Sequence, residues 1–322
     1  MAAYLVRRSA LLLASLAASA LLVFWLLRIL PGDPANALLS QDATAEQVAA
    51  ARAKVGSDLP WGVQLERWLA GLGRLDLGRS LASGQSVAAE IAQRLTVTLP
   101  LIVAAFLLSA LLAVGLGCLA AFKADRWYGV GLSGLSQIGV AVPVFWVGLI
   151  LVWLVALGLN WLPSGGFPGA GWGRPDLVAA HLALPTATIA LGGQVAYLTR
   201  YVRAAALDVL GSDYLRTARS LGASLPAAFL RHGLRNAAVP VVSVLGVELG
   251  TTIMGAVVVE SVFSLPGVGA LLVQGIEKHD YPVVQGTLLI VTGWVLLVGF
   301  AADIAQRLID PRLRQHHSQE AS

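Results

Sequence analysis

Residues Ser212–Pro240 read SDYLRTARSLGASLPAAFLRHGLRNAAVP. This run is too polar for hydrocarbon, yet hydrophobic segments bracket it on both sides. Ser212 is placed as an N-cap, and Tyr214, Leu215, Ala218 and Leu221 follow at helical spacing, with Arg216 and Arg219 off that stripe. Gly222 stands where a helix commonly ends in a left-handed turn, which glycine adopts without steric penalty. Ser224 opens a second short helix, and Pro226 is tolerated in its first turn because no intrahelical donor is lost there. That helix presents Leu225, Ala228, Phe229 and Leu234 on one side and Arg231, His232 and Arg235 around the rest. The pattern predicts two short helices joined by a glycine turn at a membrane surface. One reading is a basic loop that merely obeys the charge bias of membrane proteins. The other, favoured by the apolar stripe and the turn chemistry, is a surface built to enter a groove on another protein.

The composition makes the bracketing segments membrane spans. The chain has 322 residues, of which 57% are hydrophobic and 12% charged, and its mean hydropathy is +0.75. A soluble domain carries about 25% charged residues. Several apolar runs approach or exceed the ~20 residues that cross a bilayer, far longer than barrel strands. An all-α integral membrane protein follows. The lone cysteine, Cys118, lies in an apolar run and permits no intrachain disulfide. The net charge of +4 reflects arginines at membrane edges rather than a nucleic-acid surface.

In chain order, the first span runs from about Ala10 to Leu27. Ala17–Ala20 (AASA) has the look of a signal-peptidase site, but the apolar run continues past it, so an uncleaved helix is expected. An outer segment over 31–94 carries amphipathic pieces at Thr44–Lys54 and Trp61–Leu72, with Thr44 and Gln47 spaced as a capping box. It is either a solvated loop or a layer on the membrane face or a partner. Further spans are expected over about Leu95–Phe122, Leu132–Leu157, Leu182–Leu207, Val239–Val259 and Val283–Ala305. Pro143, inside the third, is read as a packing kink or as a gating element. Asn160–Asp176 and Glu260–Asp280 are expected as outer loops. Six spans with both termini inside place most of the 22 basic residues in inner segments. The chain then divides into a first helix (1–30), the outer segment (31–94), a five-helix core (95–314) containing the short helices at 212–236, and a tail (315–322).

Several separated motifs support a resemblance at this point. Asp213-Tyr-Leu-Arg-Thr-Ala-Arg219 with Gly222, followed by Arg231-His-Gly-Leu-Arg-Asn236, resembles the cytoplasmic motif of binding-protein-dependent ABC importer permeases. The closer likeness is to the first permease subunit of the dipeptide/oligopeptide/nickel family. Leu30–Pro34, Asp76–Ser80, Val258–Phe263, Pro266–Gly269, Asp280–Gln285 and Asp310–Arg312 are similar to that family too. The family motif reads Glu-Ala-Ala, three residues, then Gly; here Arg216, Thr217, Ala218 and Gly222 fill those places, so the glutamate and first alanine are absent.

The resemblance implies a type I ABC importer permease fold with six transmembrane helices. It implies a homologous second permease, two cytoplasmic ATPase subunits that would bind ATP and Mg, and an extracytoplasmic solute-binding protein, all in a bacterial inner membrane. Asp213, Tyr214, Arg216, Thr217, Ala218, Arg219, Gly222, Arg231 and Arg235 would couple to the ATPases. The solute would be a di- or oligopeptide, with nickel, glutathione or an oligosaccharide as alternatives, and no cofactor would be bound by this chain.

The residues themselves show little chemistry. The sequence holds no Gly-x4-Gly-Lys-Ser/Thr loop, no Gly-x-Ser-x-Gly elbow and no His-Glu-x-x-His pair. Asp303 and Glu248 are the notable ionisable groups within spans. Asp303 is expected to pair with a nearby arginine. Glu248 serves either as polar packing or as part of the solute path. Gly246-Val-Glu-Leu-Gly250 forms a small-residue face suited to close helix contact. A secondary transporter would need an intramembrane relay, and a membrane hydrolase a nucleophile–base pair; neither pattern is visible. Transport that requires co-expressed ATPases would separate the three.

Overall fold

A computed structural model of the chain describes residues 2–29, 33, 35, 38 and 43–309. The motifs at Leu30–Pro34 (Asp33 apart) and Asp310–Arg312, with Arg314 and the tail 315–322, lie outside the described residues. The elements are α1 (Ala2–Ile29), α2 (Ala45–Val55), α3 (Trp61–Leu72), α4 (Val87–Phe122), α5 (Trp127–Ala141), α6 (Val144–Leu151), α7 (Pro175–Ile189), α8 (Val195–Leu210), α9 (Asp213–Ser220), α10 (Leu225–Ala228), α11 (Leu234–Val262), α12 (Val268–Glu277) and α13 (Tyr281–Ile309). Wide π turns over Val152–Gly158, Ala190–Gln194 and Phe229–Gly233 extend α6, join α7 to α8 and join α10 to α11.

Among the described residues, five helical runs are long and apolar enough to cross a bilayer: Tyr4–Ile29, Val87–Phe122, Pro175–Leu210, Leu225–Val262 and Tyr281–Leu308. The sixth candidate is a pair, Trp127–Ala141 and Val144–Gly158, bent by 103°. This corrects the single third helix expected around Pro143. Proline lacks an N–H and pushes the residue before it out of the helical region; Val142 accordingly sits at φ −81°, ψ 123°. The break is a corner rather than a kink. Helix α4 also starts earlier than expected, at Val87, because Val87 and Ile91 pack on Leu271 and Val283. The expected outer loop Glu260–Asp280 contains the helix α12, and Glu260 is fully buried inside α11.

The chain forms two compact units that are not consecutive in sequence: Met1–Leu5 with Pro100–Ser264 and Leu297–Ser322, and Val6–Leu99 with Leu265–Leu296. In the first, α7 and α8 are interrupted at Gly192 (φ −74°, ψ 38°) and Gly193 (φ 113°, ψ −30°). A Cβ at Gly192 would lie 2.5 Å from Val144 Cγ2, so the interruption nests against the start of α6, beside the proline corner. Gly246 meets Ala302 so closely that a Cβ there would overlap the alanine methyl, as the small-residue face predicts. Asp303 is half-buried on α13; its carbonyl accepts from the Tyr4 hydroxyl at 3.5 Å, and Arg307 stacks 3.9 Å from the Tyr4 ring centre. The loop after α6 is tied down by Gly166 N–H donating to Phe263 O at 2.7 Å.

In the second unit, α3 packs on α1 through Trp61–Trp25 and Trp68–Phe24 ring contacts, each 5.7 Å between centres. Arg28 donates twice to Gln64 Oε1, at 2.7 and 3.1 Å. The amphipathic α3 is thus a layer on its own chain's first helix. The capping box of α2 forms as its spacing predicts, with Gln47 N–H donating to Thr44 Oγ1 at 3.3 Å and Thr44 N–H to Gln47 Oε1 at 2.9 Å. Ala17–Ala20 lies within the continuous helix α1.

Candidate functional site

The element formed by Ser212–Asn236 is built around the buried side chains of Leu215 and Phe229. Leu215, 1% exposed, enters a cluster of Ala121, Ala206, Val209, Ala228, Phe229 and Ala237. Phe229 meets Phe122 edge-on at 5.2 Å, which joins the cluster to the end of α4. An eight-residue helix is too short to persist alone in water, so α9 takes its order from this packing. Its end is a Schellman turn: Ala223 N–H donates to Ala218 O at 3.2 Å and Gly222 N–H to Arg219 O at 3.0 Å. Gly222 has φ +95°, which an L side chain rarely adopts, and open space where a Cβ would stand.

The hydrophobic stripe reads differently in three dimensions. Leu215 and Ala218 face the chain's own core, whereas Tyr214 and Leu221 are 42% and 83% exposed. Ala218 therefore belongs to the support of the site and not to its outer face. The Tyr214 hydroxyl accepts from Asn236 Nδ2 at 3.0 Å, bracing α9 against α11. Ser212 occupies the N-cap position, but its hydroxyl donates to Val209 O at 2.6 Å instead of capping, and Ser224 makes no side-chain cap either.

The second short helix is not a separate element. Through the π turn it becomes the start of the membrane helix Leu225–Val262. Within it the inward positions are Ala228, Phe229, Gly233 and Ala237, while Leu230 and Leu234 are exposed. A Cβ at Gly233 would lie 2.7 Å from Val209 Cγ1 and 3.1 Å from Phe229 Cδ2. A stripe drawn through large apolar residues overlooks this glycine and groups the exposed Leu234 with the buried Ala228 and Phe229.

What remains outward is a mixed face of Asp213, Arg216, Thr217, Arg219, Arg231 and Arg235 with Leu221, Leu230 and Leu234. Arg216 and Asp213 form an exposed i,i+3 pair at 3.3 Å, a contact of little energetic weight in water. The arrangement offers cations, exposed leucines and a glycine turn, and through Leu215 α9 packs on residues of α4, α8 and α11.

The other candidate, Glu248, lies at the midpoint of α11 and is half-buried. The Gln194 side chain lies against the same turn: its Nε2 donates to Thr252 Oγ1 at 2.6 Å, its Oε1 is 2.9 Å from Ser109 Oγ, and Thr252 Oγ1 in turn donates to Glu248 O at 2.7 Å. Sequence reasoning named Glu248 but none of these three residues.

Residues 113–315 match the family described as binding-protein-dependent transport system inner membrane component, and residues 1–102 match the N-terminal region of such membrane components. A probable peptide ABC transporter permease protein of Sinorhizobium fredii is 37% identical over 314 residues, covering 98% of this chain and 100% of the relative. A putative peptide transport system permease protein of Brucella abortus is 40% identical over 300 residues, covering 92% and 93%. The chain belongs to this permease family. A glutathione transport system permease protein of Salmonella paratyphi A is also similar, at 36% identity over 313 residues, 97% of this chain and 98% of the relative.

The permease is thus a multi-pass membrane component of a binding-protein-dependent importer with the type I fold. Its structure explains why two of the motifs that carried the resemblance belong together. Asp280, 2% exposed, accepts from Ser80 Oγ at 2.5 Å and from the N–H groups of Leu81 and Ala82 at 3.1 Å each. The turn after Asp76-Leu-Gly-Arg-Ser80 is therefore clamped by the first residue of Asp280-Tyr-Pro-Val-Val-Gln285, 200 positions away.

Proposed function

We propose that this permease is the first membrane subunit of an ATP-driven peptide importer, and that Ser212–Asn236 is its docking element for a cytoplasmic ATPase. The observation that carries the docking assignment is the division of α9 into a buried root, Leu215, and an exposed basic and leucine-bearing face. The names of the Sinorhizobium and Brucella relatives support peptides as the solute. Glutathione, itself a peptide derivative, is the second reading, supported by the Salmonella relative.

In this reading a homologous second permease completes the pore, and two ATPase subunits bind ATP and Mg. An extracytoplasmic binding protein delivers the solute, and both termini face the cytoplasm of a bacterial inner membrane. Each ATPase takes α9 into a groove, and nucleotide-driven closure moves two packed bodies between their alternative arrangements. Reconstituted complexes should accumulate labelled trialanine only with ATP and the binding protein. Accumulation without ATP under a proton gradient would overturn the assignment; preference for glutathione over trialanine would select the second solute. Cysteines at Ser83 and Ser224, in a Cys118→Ala background, should label from opposite sides of the membrane.

A further inference from the structure

A hydrogen-bonded network joins Ser109, Gln194 and Thr252 beside the midpoint of α11. Thr252 donates its single hydroxyl proton to Glu248 O at 2.7 Å, so toward Gln194 it acts as an acceptor. Gln194 presents Nε2 to Thr252 at 2.6 Å and Oε1 to Ser109 Oγ at 2.9 Å, while Ser109 Oγ also lies 2.7 Å from Ala105 O. Thr252 thus ties Gln194 to the Glu248 turn of α11, leaving the Glu248 carboxylate, an acceptor-only group, outside the network. Ser109, Gln194 and Thr252 are 0%, 9% and 2% exposed, whereas Glu248 is only half-buried. The network is closed on the inside, and the carboxylate beside it is open.

Gln194 comes directly after the non-helical Gly192–Gly193 break. Irregular backbone at membrane depth is tolerated where it is buried in protein or lines a watery cavity, and an intramembrane carboxylate has the same preference. Beside the carboxylate, Val247 and Thr251 are exposed on α11. On α8, Tyr197 and Tyr201 stack at 4.8 Å, with the Arg200 guanidinium 5.7 and 5.6 Å from their rings. Exposed Thr251 and Arg200 with the half-buried Glu248 put polar groups on the open sides of two helices, which a surface that meets only lipid disfavours.

We propose that Glu248, on a turn of α11 that Gln194 holds through Thr252, is a cation-binding station on the solute path, and that it takes the ammonium group of a solute carrying a primary amine. The assignment rests on the permease reading. Charge-assisted hydrogen bonds from an ammonium would occupy acceptor sites of the Glu248 carboxylate.

Thr251, one turn along α11, reports on this site. In a Cys118→Ala complex that retains ATP-driven uptake, Thr251→Cys is reacted with a cationic and an anionic methanethiosulfonate of similar size. One unit charge about 6 Å away separates the two rates about tenfold in water. The expected result is a tenfold preference for the cation with Glu248 or Glu248→Asp, falling to near unity with Glu248→Gln. A Thr251→Cys that reacts in no nucleotide state, or a preference unchanged by Glu248→Gln, overturns the proposal. If Glu248→Gln does not assemble, equal rates in the Glu248 background overturn it alone. Failure of the permease reading would show separately, as absence of ATP-driven uptake before any labelling.

Discussion

Removing the root of α9 and removing its exposed tip should have opposite signatures. Leu215→Ala deletes a side chain that is 1% exposed and central to its cluster. Buried Leu→Ala changes cost about 3 kcal/mol when the cavity cannot collapse, a factor of about 150 in an opening equilibrium. Because α9 is an eight-residue helix outside the long apolar spans, the loss should be local. Amide exchange over Arg216–Leu221 should accelerate about 100-fold while the membrane helices keep their protection. Leu221→Ala, at 83% exposure, should leave exchange unchanged in the isolated permease. If Leu221 is a docking anchor, its loss should weaken ATPase binding by about 2 kcal/mol, roughly 30-fold, in a titration of detergent-solubilised permease. The reasoning fails if Leu215→Ala leaves α9 protected, or if Leu221→Ala loosens α9 in the absence of any ATPase.

Other substitutions test neighbouring links. Gly222→Asp should strain a backbone at φ +95° without a clash, reducing uptake while membrane insertion stays normal; unchanged uptake with normal ATPase co-purification would remove the lever role. Asp280→Ala strips the acceptor from Ser80 Oγ and two N–H groups, each worth about 1–3 kcal/mol if left buried and unpaired. Limited proteolysis should then cut within Asp76–Ser86, and resistance equal to the parent would contradict the clamp. Burial would raise the Asp33 carboxyl, but the Ala35 N–H, Arg52 and Ser57 outweigh it and hold the group below its ordinary value. A depressed carboxyl stabilises above its unfolded value, about 3.9, and that contribution is lost as pH falls through the folded value. Exchange across the Arg52–Ser57 stretch should therefore be flat at neutral pH and rise below about pH 4, after correction for intrinsic rates; the same rise in Asp33→Asn would assign it elsewhere.

The spans were legible because hydropathy responds to long apolar runs, and the glycine turn because Gly222 follows the last residue of a helical stripe. The capping box was legible for the same local reason. The 103° corner was not, since a proline inside an apolar run looks alike whether neighbouring helices straighten it or turn it. Charged Glu90 and Arg94 hid the first turns of α4 from a hydropathy reading, although Val87 and Ile91 mark its packed face. The inward role of Gly233 and the Gln194 network depend on helices distant in sequence. Asp280 is the clearest case: nothing local distinguishes a loop carboxylate from one that closes a turn 200 residues earlier.

A photo-crosslinking amino acid placed at Leu221, with a control at Ser83, tests the central claim most directly. In the transport-competent complex the account predicts a Leu221 adduct with an ATP-hydrolysing subunit, changing in yield between nucleotide-free and ATP-bound states, and no such adduct from Ser83. An active complex in which Leu221 captures no ATPase, or in which Ser83 does, would contradict it.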